Sequence, residues 1–131
     1  MIIDSSAVLA IFLQESDGRR YLRAVMDADS RRMSVSNWLE ATMVVDRRGN
    51  DIAVNWLEDF IQNAQIELMP VSISQATIAR RAWRTFGRGV HPARLNYGDC
   101  FAYALAKETR EPLLFKGNDF AQTDVEPALK D

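Results

Sequence analysis

The chain of 131 residues, 47% hydrophobic and 26% charged, has the size and mix of one compact domain with an ordinary buried core. A formal charge of −2 gives no sign of a nucleic-acid partner, and Cys100, the single cysteine, excludes an intrachain disulfide framework or a multi-cysteine zinc cage. The longest apolar run, residues 7–13, is too short to span a bilayer and has no basic leader, so a cytoplasmic protein without membrane attachment is expected.

Residues 1–3 are a short apolar start that reads as a buried strand, and 6–14 as a helix apolar nearly all round. The stretch 18–28 sets Tyr21, Leu22, Val25 and Met26 on one helical face. Residues 33–36 are strand-like, and 37–48 form a helix stopped by Gly49. Between 51 and 64, Ala53, Trp56, Leu57, Phe60 and Ile61 recur at helical spacing. A third strand fits 66–71, limited at its end by Pro70, and 74–86 is another amphipathic helix. A loop with two glycines and Pro92 covers 87–94. In the helix at 95–108, Tyr97, Phe101 and Leu105 lie four apart, while Gly98 and Asp99 sit in the first turn. Glycine costs about 1 kcal/mol against alanine inside a helix, so propensity does not account for Gly98. Asp99 can close a capping box with Asn96. Residues 112–115 give a fourth strand before a short tail. No repeat, low-complexity segment or linker interrupts the chain, so residues 1–131 read as one domain.

Short apolar strands alternating with helices predict an open, mostly parallel sheet covered on both faces, with right-handed connections. Ligands in such sheets bind beyond the carboxyl ends of the strands. Four acids fall there. Asp4 ends the first strand, Glu40 lies in the first turn after the second, Asp99 opens the helix leading to the fourth, and Asp119 follows it. Each has a plainer reading: Asp4 as a helix cap, Glu40 in a capping box with Asn37, Asp119 as a turn residue. Converging carboxylates repel and raise one another's proton affinity unless a cation sits among them. Oxygen ligands without histidine or thiolate select Mg²⁺ or Mn²⁺ over zinc, and such a site suits phosphodiester hydrolysis by activated water.

The segments MIIDSSAVLAI, SNWLEA, LNYGDCFAYALA and LLFKGNDFAQTD resemble, in order and spacing, the motifs of PIN-domain proteins, most closely the VapC toxins of bacterial type II toxin–antitoxin systems. The resemblance implies a PIN-like three-layer α/β/α sandwich with a short, mostly parallel central sheet. It also implies an Mg²⁺-dependent endoribonuclease, with Mn²⁺ able to substitute, acting on RNA and neutralised by a cognate VapB-type antitoxin. A homodimer is the oligomer it favours. By position, Asp4, Glu40 and Asp99 match the family's acidic residues. The fourth acid is Asp119, with Asp124 as the alternative, because many relatives carry an acid where this chain has Asn118. Ser6 matches a hydroxyl beside the first aspartate and is assigned to orienting a carboxylate or water; its plainer role is helix capping.

Other chemistries fit less well. A haloacid-dehalogenase-type phosphatase needs a second aspartate where Ser6 stands, and no phosphoacceptor of a receiver domain is found at Val71-Ser72. There is no G-x-S-x-G elbow, Cys100 reads as a buried packing residue, and His91 as a surface-loop residue. RNA contact falls to arginines. Arg80, Arg84 and Arg88, at four-residue spacing, form a phosphate-binding rail if their helix persists, or else a solvated face. Arg19, Arg20 and Arg23 make a second basic group, and the pairs Arg31-Arg32 and Arg47-Arg48 suit helix ends. The alternative to a toxin nuclease is a non-catalytic interaction module of the same fold, with structural acids.

Overall fold

The computed structural model describes residues 1–130. Four strands run in it: β1 (Ile2–Ile3), β2 (Arg32–Ser34), β3 (Glu67–Met69) and β4 (Leu113–Leu114). Six helices connect them: α1 (Ser5–Phe12), α2 (Gly18–Asp27), α3 (Val35–Asp46), α4 (Asp51–Asn63), α5 (Ile73–Phe86) and α6 (Tyr97–Thr109). The strand order is β3-β2-β1-β4 and every pairing is parallel, so the chain steps outward twice from β1 before returning across it to lay down β4.

The strands are only two or three residues long, yet side-chain alternation still sorts them onto two faces. Ile2 and Leu113 point into a core with Ala79 and Ala82 of α5 and Cys100, Ala102 and Leu105 of α6. Ile3, Met33 and Leu114 point the other way, among residues of α1, α2, α3 and α4. The result is the expected α/β/α sandwich. The aromatic series of α4 closes one edge, where Trp56 stacks on Phe60 at 5.0 Å and meets Phe12 at 5.2 Å.

Helix starts are set by side-chain caps. Asp4, Ser34, Asn50, Ser72 and Asn96 each accept a hydrogen bond from a backbone N–H in the first turn of the helix they precede. Helices that return between parallel strands put their N-termini at the carboxyl end of the sheet, which brings Asp4 and Asn96 to one side of the molecule.

Two expectations need correction. The helix after β2 begins at Val35 under a Ser34 cap, not at Asn37, so Glu40 sits in its second turn and Asn37 is an interior helical residue. Ser34 takes the cap because its extended backbone and its hydroxyl both suit one, and it is the last residue of the strand. The arginine rail also breaks. Helix α5 ends at Phe86, capped by Gly87 in extended conformation, and Gly87 then bridges to Leu95. A Cβ on Gly87 would lie 2.2 Å from the Trp83 carbonyl oxygen, so the chain needs glycine to turn there. Arg80 and Arg84 are exposed on the helix, whereas Arg88 belongs to the following loop, its N–H bonded to the Leu95 carbonyl.

Candidate active site

Three carboxylates are drawn together where β1, α3 and α6 meet. Asp4 follows Ile3 directly and is only 3% exposed. Its Oδ2 accepts from the Ser6 N–H at 3.0 Å and from the Ser6 hydroxyl at 2.6 Å. The Ser6 hydroxyl in turn accepts the Lys116 N–H at 3.0 Å, which ties the first aspartate to the end of β4. Asp4 Oδ1 is buried without a hydrogen-bond partner. A buried, unsatisfied carboxylate oxygen carries a desolvation cost that native proteins rarely leave standing without a ligand or water.

Glu40 is held by Ser5, whose hydroxyl donates to its Oε1 at 2.6 Å. Buried Asn37, one turn earlier in α3, donates from its amide to the Gly98 carbonyl at 2.9 Å. That contact pulls the start of α6 against α3, and it accounts for Gly98: an added Cβ would stand 2.3 Å from Glu40 Oε2. Glycine is there because the carboxylate of Glu40 occupies the place of a side chain. Sequence does not single out Ser5 beside Ser6, and it offers Asn37 only as a capping partner of Glu40, not as the link to α6. The one available signal for both was the helix-disfavoured Gly98, which marks a close approach without naming what approaches.

Asp99 does close the capping box. Its Oδ2 accepts the Asn96 N–H at 3.0 Å while Asn96 Oδ1 accepts the Asp99 N–H at 2.9 Å. Capping and clustering therefore coexist. In both Asp4 and Asp99 the recorded hydrogen bonds end on Oδ2, so the capping role engages a single oxygen.

Electrostatics joins the acids. Burial raises the Asp4 carboxyl from 3.8 to about 7 against the lowering bonds from Ser6, with the charges of Asp99 and Glu40 adding to the rise. Burial likewise raises Asp99 to about 6, opposed by Asn96 and reinforced by Asp119 and Glu40. Both aspartates lie at helix N-termini, where the dipole favours negative charge. Their carboxyls rise all the same, with burial the largest cause in each.

Asp119 is exposed at the start of a short 3-10 turn, Phe120–Gln122, and makes no capping bond there. It stands within the electrostatic reach of Asp99. Asp124 is engaged elsewhere: it accepts from the Tyr103 hydroxyl at 2.6 Å and pairs with Lys107 at 3.2 Å. The other singled-out residues are structural. Cys100 is buried and its thiol is pushed up to about 11, first by burial and then by Asp99, so it stays protonated. His91 is half-buried rather than a free loop residue, its Nδ1 accepting the Ala93 N–H while its ring meets Phe86 edge-on. Arg31 caps the end of α2 through the Met26 carbonyl, and Arg32 lies in β2 rather than at a helix end.

The donor set suits a hard divalent cation: oxygen ligands only, one of them orphaned and buried. Among the described residues no three acidic, histidine or cysteine side chains stand close enough together to hold a metal ion between them. Mg²⁺ does not ask for three, because it typically takes one or two carboxylates and keeps several waters. The residues present fit such an ion.

Comparison with known proteins accords with this geometry. The family model for the PIN domain matches residues 1–126. The chain is similar to VapC ribonuclease Mb0625 of Mycobacterium bovis and to Ribonuclease VapC28 of Mycobacterium tuberculosis. Each is 46% identical over 130 residues, covering 98% of both chains. Ribonuclease VapC of Mycolicibacterium smegmatis is 44% identical over 125 residues, or 95% of this chain and 97% of that one. Among solved structures, a toxin–antitoxin complex from Klebsiella pneumoniae superposes with a TM-score of 0.72 at 14% identity, covering 94% of this chain and 92% of that one. Mycobacterium tuberculosis VapC20, a sarcin-ricin loop cleaving toxin, gives 0.70 at 16%, covering 96% and 98%. At these identities the two structures speak for the fold alone.

Proposed function

The chain belongs to the PIN-domain family, and from that premise we propose that it is an endoribonuclease, the toxin of a VapBC type II toxin–antitoxin pair. Relatives named VapC ribonuclease, similar over nearly their whole length, support the activity. The observation that carries the site is the Asp4, Glu40 and Asp99 cluster, in which a buried carboxylate oxygen has no partner. In this reading Asp4 and Asp99 hold Mg²⁺ or Mn²⁺, with Glu40 and Asp119 completing the acidic set. A divalent ion bound there supplies Lewis-acid polarisation of the scissile phosphate and lowers the pKa of water.

The remaining work falls to the chain itself. Ser6 fixes Asp4 so that Oδ2 faces the helix and Oδ1 remains available. Ser5 orients Glu40, and Asn37 locks α3 to α6 so that Glu40 and Asp99 keep their separation. Such rigidity matters because misplacing a reacting group by about 1 Å can cost on the order of a hundredfold in rate. Exposed Arg80 and Arg84 are available to phosphate oxygens of the RNA. The partner that restrains this activity is a VapB-type antitoxin, and the working unit is a cytoplasmic homodimer. No helix among the described residues is long and apolar enough to cross a membrane.

The test is cleavage of end-labelled RNA by purified protein. Cleavage is expected with Mg²⁺ or Mn²⁺, to stop with EDTA, and to leave 5′-phosphate and 3′-hydroxyl ends. Asp4→Asn and Asp99→Asn are expected to abolish it with the fold intact, since asparagine caps a helix about as well as aspartate. Ends bearing 2′,3′-cyclic phosphate in EDTA would sink the reading, because the RNA's own hydroxyl would then be the nucleophile. A wild-type chain that cleaves nothing yet binds its antitoxin would instead favour the non-catalytic module.

A further inference from the structure

Tyr97 is the feature that the acidic centre leaves unexplained. It opens α6 two residues before Asp99 and is 78% exposed, although nothing in capping calls for an aromatic ring there. The ring is not loose. Phe101, one turn on, meets it edge-to-face at 4.8 Å and 81°, and its backbone is fixed between the Asn96 cap and Gly98, whose carbonyl takes the Asn37 amide.

Tyr97 also divides two clefts. One, of about 460 Å³, runs along α3 and is lined by Glu40, Gly98 and Arg47. The other, of about 520 Å³, lies between α5 and α6 and is lined by Arg80 and Trp83. The ring is the wall they share; Leu39, Met43 and Val44 make one cleft largely apolar and Phe101 and Trp83 the other, with one arginine in each and a site acid in the first. Neither Arg47 nor Arg80 pairs with a carboxylate among the described residues. Single-stranded nucleic acid asks for this combination: a rigid aromatic face for a base, with cations beside it for the backbone.

We propose that Tyr97 is a substrate-binding residue whose ring stacks a nucleobase of the strand being cut, with Arg80 across the cleft taking a neighbouring phosphate. The inference rests on the ribonuclease reading above. Charge argues for a strand of phosphates over a second copy of this chain, because exposed Arg47 and Arg80, neither paired with a carboxylate among the described residues, put a cation in each cleft beside the ring. The stacked base lies next to Glu40 and Asp99, so Tyr97 sets which nucleotide is presented beside the scissile bond. A preorganised ring pays little ordering entropy on binding.

The test uses a fluorescein-labelled twelve-nucleotide single-stranded RNA of mixed sequence, bound to the Asp99→Asn chain in Mg²⁺ so that the strand stays whole. Anisotropy is read across a salt series for this protein alone and with Tyr97→Phe, Tyr97→Ala or Arg80→Gln added. Tyr97→Phe keeps the ring and is expected to bind within about twofold, while Tyr97→Ala should weaken binding about tenfold or more. The salt slope should be unchanged by Tyr97→Ala and shallower by about 0.7 for Arg80→Gln, since only the arginine releases counterions. Equal binding by Tyr97→Ala overturns the proposal. If that variant also sediments as a monomer where the parent is a dimer, the cleft is an interface between copies. Cleavage by the wild-type chain, measured alongside, keeps the two failures apart: no cleavage by the wild type rejects the ribonuclease reading itself, whereas cleavage by the wild type with equal binding by Tyr97→Ala rejects Tyr97 alone.

Discussion

At the amino end of the sheet, Glu111 receives the amino group of Met1 at 2.7 Å and the Arg32 guanidinium at 3.3 Å, with a further hydrogen bond from Ser30. Burial pushes the Glu111 carboxyl up, but these bonds outweigh it and hold the group below its usual range. At the carboxyl end, Asp4, Glu40 and Asp99 gather around hydroxyls and amides with no cation among them, and the two aspartates are pushed upward. Lys116 could have supplied one. Its backbone serves Ser6, yet its ammonium turns away to Glu15 and, at 3.0 Å, to Asp17. One end of the sheet neutralises its carboxylates from within, as stability requires. The other leaves charge uncompensated, a cost that folding alone gives no reason to carry and that an external cation relieves.

The contrast can be broken first through pH, where the largest effect is expected. With metal removed by EDTA, Asp4 in the folded chain titrates near 7 and in the unfolded chain near 3.8. Between those values the folded state holds more protons, so stability falls as pH rises from about 4 to 7, by on the order of 3–4 kcal/mol from this group. Glu111 and Asp124 are shifted the other way, so their contribution is present above their ordinary values and is lost as pH falls below them toward their lowered ones. Urea melts at intervals from pH 4 to 8 should therefore show the decline in the wild-type chain and a shallower one in Asp4→Asn. A wild-type profile that rises steadily to neutrality would mean that the carboxyl end is as well compensated as the amino end.

A second break targets the close approach. Gly98→Ala would drive a methyl group into the Glu40 carboxylate. Because α6 otherwise favours alanine over glycine, the fold should survive with a change of no more than about 1 kcal/mol. RNA cleavage should fall about tenfold to a hundredfold as Glu40 is displaced. Matched cleavage and melting assays separate the two, and unaltered cleavage would remove Glu40 from the working set.

The smallest effect is expected at the opposite end. Glu111→Gln keeps the shape but discards the charge that holds Met1 and Arg32, and should cost about 1–3 kcal/mol in stability. Its cleavage rate per folded molecule should match the wild type. Together with Asp4→Asn, which keeps stability and loses cleavage, it would complete a double dissociation between the two ends.

The sequence carried the plan of the sheet because short apolar runs such as Met1-Ile2-Ile3 and Leu113-Leu114 alternate with amphipathic stretches, and this pattern has few other solutions. It carried Asp4 and Asp99 through their places after a strand and at a helix start. The start of α3 is ambiguous in sequence because Ser34 and Asn37 are both good caps and only the strand's end decides between them. The row of three arginines stops where the sequence itself ends the helix, at Phe86; what spacing does not record is the turn of Gly87 toward Leu95 that carries Arg88 into the loop. Ser5 and Asn37 act through contacts across 35 and 61 residues, a distance over which composition and period say nothing.

The central claim is that the carboxyl-end acids form a divalent cation site, and direct binding of Mn²⁺ tests it most plainly. Electron paramagnetic resonance of free Mn²⁺, titrated with the purified chain at neutral pH, counts bound ions without reference to any RNA. The account predicts saturable binding by the wild-type chain, a melting temperature that climbs with Mn²⁺ as linkage requires, and loss of both in Asp4→Asn. Glu111→Gln should bind as the wild type does. Equal Mn²⁺ binding by wild type and Asp4→Asn would contradict the account, and would leave the unpartnered oxygen of Asp4 without a function.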